Sequence, residues 1–222
     1  RDYKPQVNAM PRISFSFPIS DEALFFAHYD ILIQRPSTGL RFDPSDYQFI
    51  KSNTGDVINN PDLKPEKTID YELGFQQKIN NFSSLKLSGF YREMRDMIQV
   101  KNVIGAYPVS YKTYGNLDFG TVKGTTVSYD LRRVKNISIR ASFTLQFADG
   151  TGSDATTSLN LVNSGQPNLR TIFPLSFDQR HAFTGVLDYR FAGGKNYNGP
   201  VIGGKEIFAD AGANFSFRMG SG

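Results

Sequence analysis

Few side chains in this sequence are of types that could carry chemistry. It holds two histidines and no cysteine, which excludes disulfides, thiol nucleophiles and thiolate metal sites. His181 lies near Ser176 and Asp178, the residue types of a catalytic triad, but no glycine-flanked nucleophile elbow accompanies them. His28 has no second histidine at a spacing that zinc sites use. We therefore predict that the chain is not an enzyme and has neither a metal site nor a cofactor.

A short acidic segment at positions 149–154 reads DGTGSD. Its closely spaced oxygen atoms are of the kind that calcium prefers. The segment lacks the twelve-residue EF-hand pattern and its terminal glutamate, so we predict an ordinary loop there.

The longest predicted connection between strands carries the candidates for ligand binding. Charged and aromatic side chains on an exposed loop are suited to contacting a ligand. They are equally suited to packing one loop against another, so both interpretations stay open. The candidates are Arg41, Asp43, Asp46, Tyr47 and Lys51.

The elements that must position these residues are strands. Eight stretches alternate between apolar and polar side chains with period 2, which is the signature of β-strands. No helical pattern of useful length interrupts them, so we predict an all-β, antiparallel fold. The stretches span residues 11–20, 22–34, 68–76, 83–93, 124–133, 136–147, 181–191 and 208–219.

Periodicity alone does not say which side of such a sheet meets water. In a soluble barrel or sandwich the apolar side chains point inward, whereas in an outer-membrane barrel they face lipid and the polar ones face the lumen. Mean hydropathy is −0.36 and no apolar run is long enough for a membrane helix. Barrel strands escape such averages because only alternate residues are apolar.

Three features favour the membrane. The alternating stretches run to about nine to twelve residues, the length that crosses a bilayer at a tilt. Tight turns alternate with long connections at about 35–67, 94–110 and 148–180, as periplasmic turns alternate with extracellular loops; the last connection, before residue 208, breaks this rule. Charges also occupy mid-strand positions, which a wet lumen tolerates.

The membrane interpretation assigns each phase of the strands to a side. The polar phase faces the lumen at Asp70, Glu72, Gln76, Arg140 and Asp188. The apolar phase faces lipid at Ile69, Tyr71, Leu73, Phe75, Ile139, Phe143 and Phe147.

Three segments carry a resemblance to a known family. An N-P-x-L-x-P-E pattern at 60–66 leads into Y-E-x-G at 71–74, and GFYREMRDMIQV follows at 89–100. PLSFDQRHAFTGVLDYRF, at 174–191, contains a D-Q-R-H core. In this order the segments resemble the later part of the barrel of TonB-dependent outer-membrane receptors, in particular the Bacteroidetes-type, Oar-like group.

The resemblance implies a segment of about eight strands from a barrel of 22, with an N-terminal plug folded inside. It implies uptake of a nutrient, such as an iron chelate, cobalamin, glycan or peptide, powered through TonB. Residues 1–222 show neither a plug nor a TonB-contacting motif, so we expect one domain, cut at both ends, whose plug lies elsewhere.

The implied partners are outer-membrane lipid, the plug and TonB through other parts of the protein, and a small-molecule or glycan ligand. Nucleic acid is not expected, because 25 basic against 21 acidic residues leave a net charge of only +4. Two alternatives remain open: an outer-membrane adhesion or binding barrel without transport, and a soluble β-barrel that binds a small apolar ligand.

Overall fold

Most of the described residues lie in β-strands, as the alternation of apolar and polar side chains predicts. The computed structural model describes residues 7–36, 46, 48, 50, 52 and 55–221. The strands are β1 (Arg12–Ser20), β2 (Ala23–Gln34), β3 (Val57–Ile58), β4 (Glu66–Asn80), β5 (Ser83–Val103), β6 (Tyr111–Val134), β7 (Ile137–Gly150), β8 (Phe173–Pro174), β9 (His181–Arg190), β10 (Val201–Ile202), β11 (Lys205–Glu206) and β12 (Gly212–Ser221). One short helix, α1 (Leu159–Asn163), and a 3-10 turn at Gly194–Asn196 complete the described elements.

Eight of these strands form a meander in which each strand pairs with its sequence neighbour. The order across the sheet is β1-β2-β4-β5-β6-β7-β9-β12, and every pairing along it is antiparallel. Two short strands extend the sheet where it meets the long connections: β3 pairs parallel to β6, and β8 pairs antiparallel to β7. Within the described residues the sheet does not close on itself, because β1 and β12 lie at opposite edges. The predicted all-β, antiparallel barrel segment of about eight long strands is confirmed.

The register keeps side chains of like character on the same side of the sheet. Tyr71, for example, pairs with Tyr29 on β2 and with Tyr91 on β5. We call the side that bears Leu73 and Phe143 the apolar face and the side that bears Asp70 the polar face. Because a strand alternates strictly, one consistent register carries this division across all eight strands.

Two strands are much longer than predicted. β5 has 21 residues and β6 has 24, whereas about ten residues suffice to cross a bilayer. The predicted loop at 94–110 is therefore wrong: most of it continues this hairpin, which pairs as far as Val103 and Tyr111. A bulge between Met94 and Ile98, where Asp96 adopts a φ of +58°, interrupts the alternation and hid the continuation.

The connections alternate in length as predicted. At one end of the sheet, two-residue turns at 21–22, 81–82 and 135–136 join successive strands. At the other end lie the hairpin extension and the connection 151–180, which contains α1 and β8 and is therefore structured. The connection between β9 and β12, at 191–211, is the exception at the short-turn end.

The buried apolar cluster of the described residues lies on the polar face, near the long-loop end. Val122, Ala148 and Leu175 are buried there, with Phe90 and Met94 packed against them. Leu175 comes from the connection 151–180, so that connection leans over the polar face instead of standing clear of it. None of the described helices is long and apolar enough to cross a membrane.

Candidate functional site: a charged wall and the loop junction above it

Cross-strand ion pairs line the polar face. Four of the five residues predicted to face the lumen take part, and the fifth, Gln76, lies directly opposite Lys86 in the register. Each pair is partly exposed, so it adds little stability by itself. Together the pairs leave a nearly neutral polar wall. The pairs are Asp70–Arg92 at 2.6 Å, Glu72–Lys86 at 3.4 Å, Asp130–Arg140 at 3.1 Å, and Asp188–Arg133.

Hydroxyl groups fill the spaces between these charges. Hydroxyl oxygens of Thr126 and Thr144 are 3.0 Å apart, and those of Ser128 and Ser142 are 3.1 Å apart. On the edge pair of strands, Ser14 Oγ lies 2.8 Å from His28 Nδ1. His28 thus belongs to the polar wall, and in the described residues no group of three histidine or acidic side chains is placed to hold a metal ion.

The ring of Phe26 is buried on the polar face. Phe26 is only 7% exposed because its ring lies directly over Gly74 on the neighbouring strand. A β-carbon added at Gly74 would come within 2.0 Å of Phe26 Cζ. Lys86 also lies against the ring, with Nζ 4.4 Å from the ring centroid. The glycine of the Y-E-x-G motif therefore provides the space for this ring.

The N-P-x-L-x-P-E motif fastens its loop to the long hairpin. Asn60 Nδ2 donates to the carbonyl of Tyr114 at 2.9 Å. Asn116 holds the backbone of Lys64 in both directions, accepting from its amide and donating to its carbonyl at 2.8 Å each. Leu63, between these two anchored positions, is buried. Asn60 and Asn116 thus each satisfy backbone groups of the other's segment, more than fifty positions away along the chain.

The last residue of the motif contacts the bulge of β5. We call the contacts that the motif and the connection 151–180 make with the hairpin β5–β6 the junction. Glu66 Oε1 accepts a hydrogen bond from the amide of Ile98 at 2.9 Å. Asn116 Nδ2 also donates to the carbonyl of Asp96 at 2.6 Å. These bonds take up backbone groups that the bulge removes from the β-ladder.

A buried polar cluster ties the connection 151–180 to the same hairpin. Gln99, which is fully buried, donates through Nε2 to Asp118 Oδ2 at 2.8 Å. Its Oε1 accepts from the amides of Val100 at 3.0 Å and Ser158 at 3.2 Å. The other oxygen of Asp118 accepts from Thr151 Oγ1 at 3.0 Å. Such fully satisfied buried networks are rigid and specify one arrangement of the groups they join.

The acidic segment 149–154 is part of this junction. Asp154 accepts hydrogen bonds from the amide and the hydroxyl of Thr156, both at 2.8 Å. These bonds lower the pKa of the Asp154 carboxyl. Thr151, in the same segment, donates to Asp118 in the buried cluster. The polar groups of the segment therefore stabilise turns and the junction, and the segment is a structured loop.

The D-Q-R-H segment forms a corner at the start of β9. Asp178 Oδ1 accepts from the amide of Ala148 at 2.8 Å, and Oδ2 accepts from Arg180 Nε at 2.9 Å. The Arg180 guanidinium lowers the pKa of Asp178 and also covers the ring of Phe147, 4.6 Å from its centroid. His181 stacks on Phe143 at 5.9 Å. The histidine and aspartate of the suspected triad therefore serve a structural corner.

The residues predicted to face lipid all lie on the apolar face. Leu73 is 60% exposed, and Tyr71, Phe75 and Phe143 are also exposed. Two of the residues predicted to face lipid are instead covered by protein: Ile69 is only 5% exposed, and Phe147 lies beneath Arg180. Both lie towards the long-loop end, where Glu93 stands opposite Ile69.

A row of tyrosines marks the boundary of this surface. The rings of Tyr29, Tyr71 and Tyr91 follow one another at 5.2 and 6.3 Å between centroids. The next position of β5 on the same face, towards the long connections, is Glu93. Tyrosine is enriched where a bilayer meets water, so the row has the character of an interfacial girdle.

The predicted ligand-binding loop lies mostly outside the described residues. Arg41, Asp43, Tyr47 and Lys51 fall there. Asp46 is described, is half-buried, and accepts a hydrogen bond from the amide of Ile50 through its carbonyl at 3.1 Å.

Three residues of the junction, Gln99, Asn116 and Asp118, were not predicted from the sequence. They lie in a region that lost its alternation, and their partners are distant along the chain. The one available signal was their polarity: an amide and a carboxylate inside otherwise strand-forming segments require partners when they are buried.

Comparisons with known proteins agree with this geometry. Residues 2–221 match the family described as TonB dependent receptor-like, beta-barrel. A search of curated protein sequences found no match.

Solved structures with a similar fold include outer-membrane receptors and transporters. The outer membrane transporter YddB from Escherichia coli has a TM-score of 0.57 at 18% identity, over 82% of this chain and 26% of that one. The siderophore receptor PirA from Acinetobacter baumannii has 0.57 at 16% identity, over 82% and 26%. The ferric-catecholate import receptor Fiu from Escherichia coli K12 has 0.54 at 16%, over 81% and 22%.

The chain thus spans about a quarter of the length of these structures. The family and these neighbours consist of receptors and transporters, not enzymes. The family match covers nearly the whole chain, and the open meander with one polar and one apolar face is a partial barrel. The chain belongs to the TonB-dependent receptor β-barrel family of the bacterial outer membrane.

Proposed function

We propose that this chain forms part of the wall of a receptor that takes up a nutrient across the outer membrane with energy from TonB. On this proposal residues 1–222 act as one barrel domain. The plug and the contact with TonB come from other parts of the protein.

The observation that carries the proposal is the separation of side chains into two faces across eight strands. The polar face holds the paired charges of Asp70, Glu72, Arg140 and Asp188, which suit a wet lumen or a plug. The apolar face exposes large side chains such as Leu73 and is bounded by the tyrosine row, which suits lipid. Gln76 also lies on the polar face, and Ile69, Ile139 and Phe147 also lie on the apolar face.

Ligand recognition is assigned to the long-loop end. The junction of Asn60, Glu66 and Gln99 holds the loops in a defined arrangement over the wall, and rigid supports favour precise contacts. Arg41, Asp43, Asp46, Tyr47 and Lys51 are the candidate contacts. Two of the similar structures are named for siderophore or ferric-catecholate compounds, so iron chelates are the first ligands to test, followed by cobalamin, glycans and peptides.

Adjacent positions on β4 test the assignment of the faces. Phe75→Cys and Gln76→Cys would be introduced separately into the full-length receptor, in a cysteine-free background. We expect a small water-soluble thiol reagent to modify the cysteine at 76, and a lipid-soluble maleimide to modify the one at 75. The opposite pattern would rule out the proposed faces.

Uptake itself is tested in the native host. A strain that lacks the receptor gene should lose growth on one limiting nutrient, and loss of TonB should reproduce the defect. Complementation with the intact gene should restore growth. Normal uptake of every nutrient together with lost attachment to surfaces would instead indicate an adhesion barrel.

A further inference from the structure

The connection between β9 and β12 is unusual for its position. We call residues 191–211 the rim loop. It leaves β9 at the end where Tyr189 pairs with Ile137, beside the two-residue turn at 135–136. The other described connections at this end are equally tight. The rim loop therefore adds a separate structure to an otherwise bare edge of the barrel.

The rim loop is internally ordered. The hydroxyl of Tyr197 donates to the carbonyl of Pro200 at 2.7 Å and accepts from the amide of Phe208 at 3.2 Å. The tip is a small hairpin, in which Ile202 pairs with Lys205. Glycines 203 and 204 between them have φ values of +59° and +74°, as a tight hairpin turn requires.

An aromatic cluster joins the rim loop to the apolar face. Tyr189 lies on that face, and Phe191 follows it in the same phase, with its ring edge-on to Tyr189 at 5.2 Å. Phe208 stacks on Phe191 at 5.7 Å, and Tyr197 lies 6.2 Å from it. The rim loop thus continues the apolar face beyond the end of the strands.

The charged contact of the rim loop falls on the opposite side. Arg190 belongs to the polar phase of β9 and faces Asp210, with 3.8 Å between the charged atoms. The rim loop therefore preserves the division between polar and apolar faces that the strands establish.

The rim loop exposes several large apolar side chains. Val201, Ile202, Ile207 and Phe208 are exposed, Ile202 at 68%. Lys205 follows directly after the hairpin turn. Apolar side chains beside a lysine, at the level where a sheet leaves a bilayer, match the composition of segments that lie in the headgroup region of a membrane.

We propose that the rim loop rests on the periplasmic leaflet of the outer membrane, with Ile202 and Phe208 among the phospholipid acyl chains and Lys205 near the phosphates. This inference rests on the proposed lipid contact of the apolar face. The loop extends that contact sideways over the leaflet and fixes the depth of this part of the barrel. Continuity with the apolar face selects lipid over a soluble protein as the occupant.

Spin labels on the full-length receptor test this directly. In a cysteine-free background, single cysteines replace Ile202 at the hairpin, Asp21 at a tight turn of the same end, and Phe143 in the middle of the apolar face. The protein is placed in vesicles of phosphatidylethanolamine and phosphatidylglycerol. Collision rates of each label with oxygen and with a water-soluble nickel complex are then measured.

We expect the labels at 202 and 143 to collide readily with oxygen, and several-fold less than the label at 21 with the nickel complex. A label at 202 that behaves like the one at 21 would overturn the proposal. A label at 202 shielded from both reagents would also overturn it, because another protein segment would then cover the loop.

The label at 143 separates this inference from the proposed function. If it is exposed to the nickel complex, the assignment of the apolar face to lipid fails. If it is in lipid while 202 is not, only the placement of the rim loop fails. Ile207→Cys provides a second position should a label at the hairpin prevent folding.

Discussion

The connections on either side of β9 are held in opposite ways. The connection 151–180 is fastened by buried hydrogen bonds, in which Gln99 contacts both Asp118 and the amide of Ser158, and Asn168 donates to the carbonyl of Val100 at 2.6 Å. The rim loop is fastened by stacked rings around Phe191 and leaves its aliphatic side chains exposed.

This difference follows from what surrounds each end. A loop in water has to protect its own polar contacts from competition, and burial of an amide and a carboxylate together achieves this. A loop on a bilayer has no need to hide its apolar side chains, because lipid accepts them. The same strand thus begins at a water-adapted connection and ends at one suited to lipid.

The largest effect is expected at Gln99. Gln99→Ala removes the partner of Asp118 Oδ2 and of the Ser158 amide. Thr151 still binds the other oxygen of Asp118, and Ala155 still binds the Val100 amide. Leaving the two buried groups unpaired should lower the free energy of opening of the connection 151–180 by about 3 kcal/mol. Hydrogen exchange of residues 152–165 in the full-length receptor measures it. Gln166→Ala, an exposed glutamine of the same connection, should have no effect; equal effects would show that the buried cluster does not hold the loop.

The corresponding change in the rim loop is Phe208→Ala. It removes the ring that stacks on Phe191 but is itself partly exposed, so we expect a loss of about 2 kcal/mol confined to the rim loop. Hydrogen exchange of residues 197–209 reports it. Phe82→Ala, at a tight turn with similar exposure, is the control, and exchange that spreads into 151–180 would contradict the independence of the two connections.

A smaller effect is expected from Tyr197→Phe. The variant keeps the ring in the aromatic cluster but loses the hydroxyl that bridges Pro200 and Phe208, which should cost about 1 kcal/mol. The same exchange measurement applies, with Tyr107→Phe at the exposed tip of the long hairpin as control. A loss as large as that of Phe208→Ala would mean that polar bonds, not rings, hold the rim loop.

The smallest expected effect is the loss of stability of the connection 151–180 at acidic pH. The pKa values of Asp154 and Asp178 are lowered in the folded chain, by hydrogen bonds from Thr156 and by Arg180 respectively. Their stabilisation is therefore complete above the ordinary carboxyl pKa of 3.8 and is lost as the pH falls through the lower folded values. Cleavage of 151–180 by pepsin should rise over that range, and Asp178→Asn should weaken this pH dependence. A pepsin rate at 151–180 that does not change with pH would contradict it.

The strands were predictable because the alternation reports a sheet whose two sides differ in polarity. β4 and β7 were recognised from strict period 2, and their registers place Asp70 and Arg140 on one face. The outer halves of β5 and β6 were missed for a physical reason: above the bilayer nothing requires alternation, and the bulge at Asp96 breaks the phase.

The site was less predictable than the strands. The motif at 60–66 was recognised by resemblance, but its purpose depends on Tyr114 and Asn116, which no local pattern connects to Asn60. The residue types around His181 were not predicted to form a triad, and in the structure Asp178 is engaged by Arg180 and Ala148.

The ring of Phe26 over Gly74 has a consequence for how such barrels vary in evolution. The two positions share one volume, so neither can change freely while the other stays as it is. A relative with alanine or a larger residue at the position of Gly74 should carry a smaller side chain at that of Phe26. The residues at the two positions would then be substituted together. Related receptors would differ in which of the two adjacent strands carries the larger side chain.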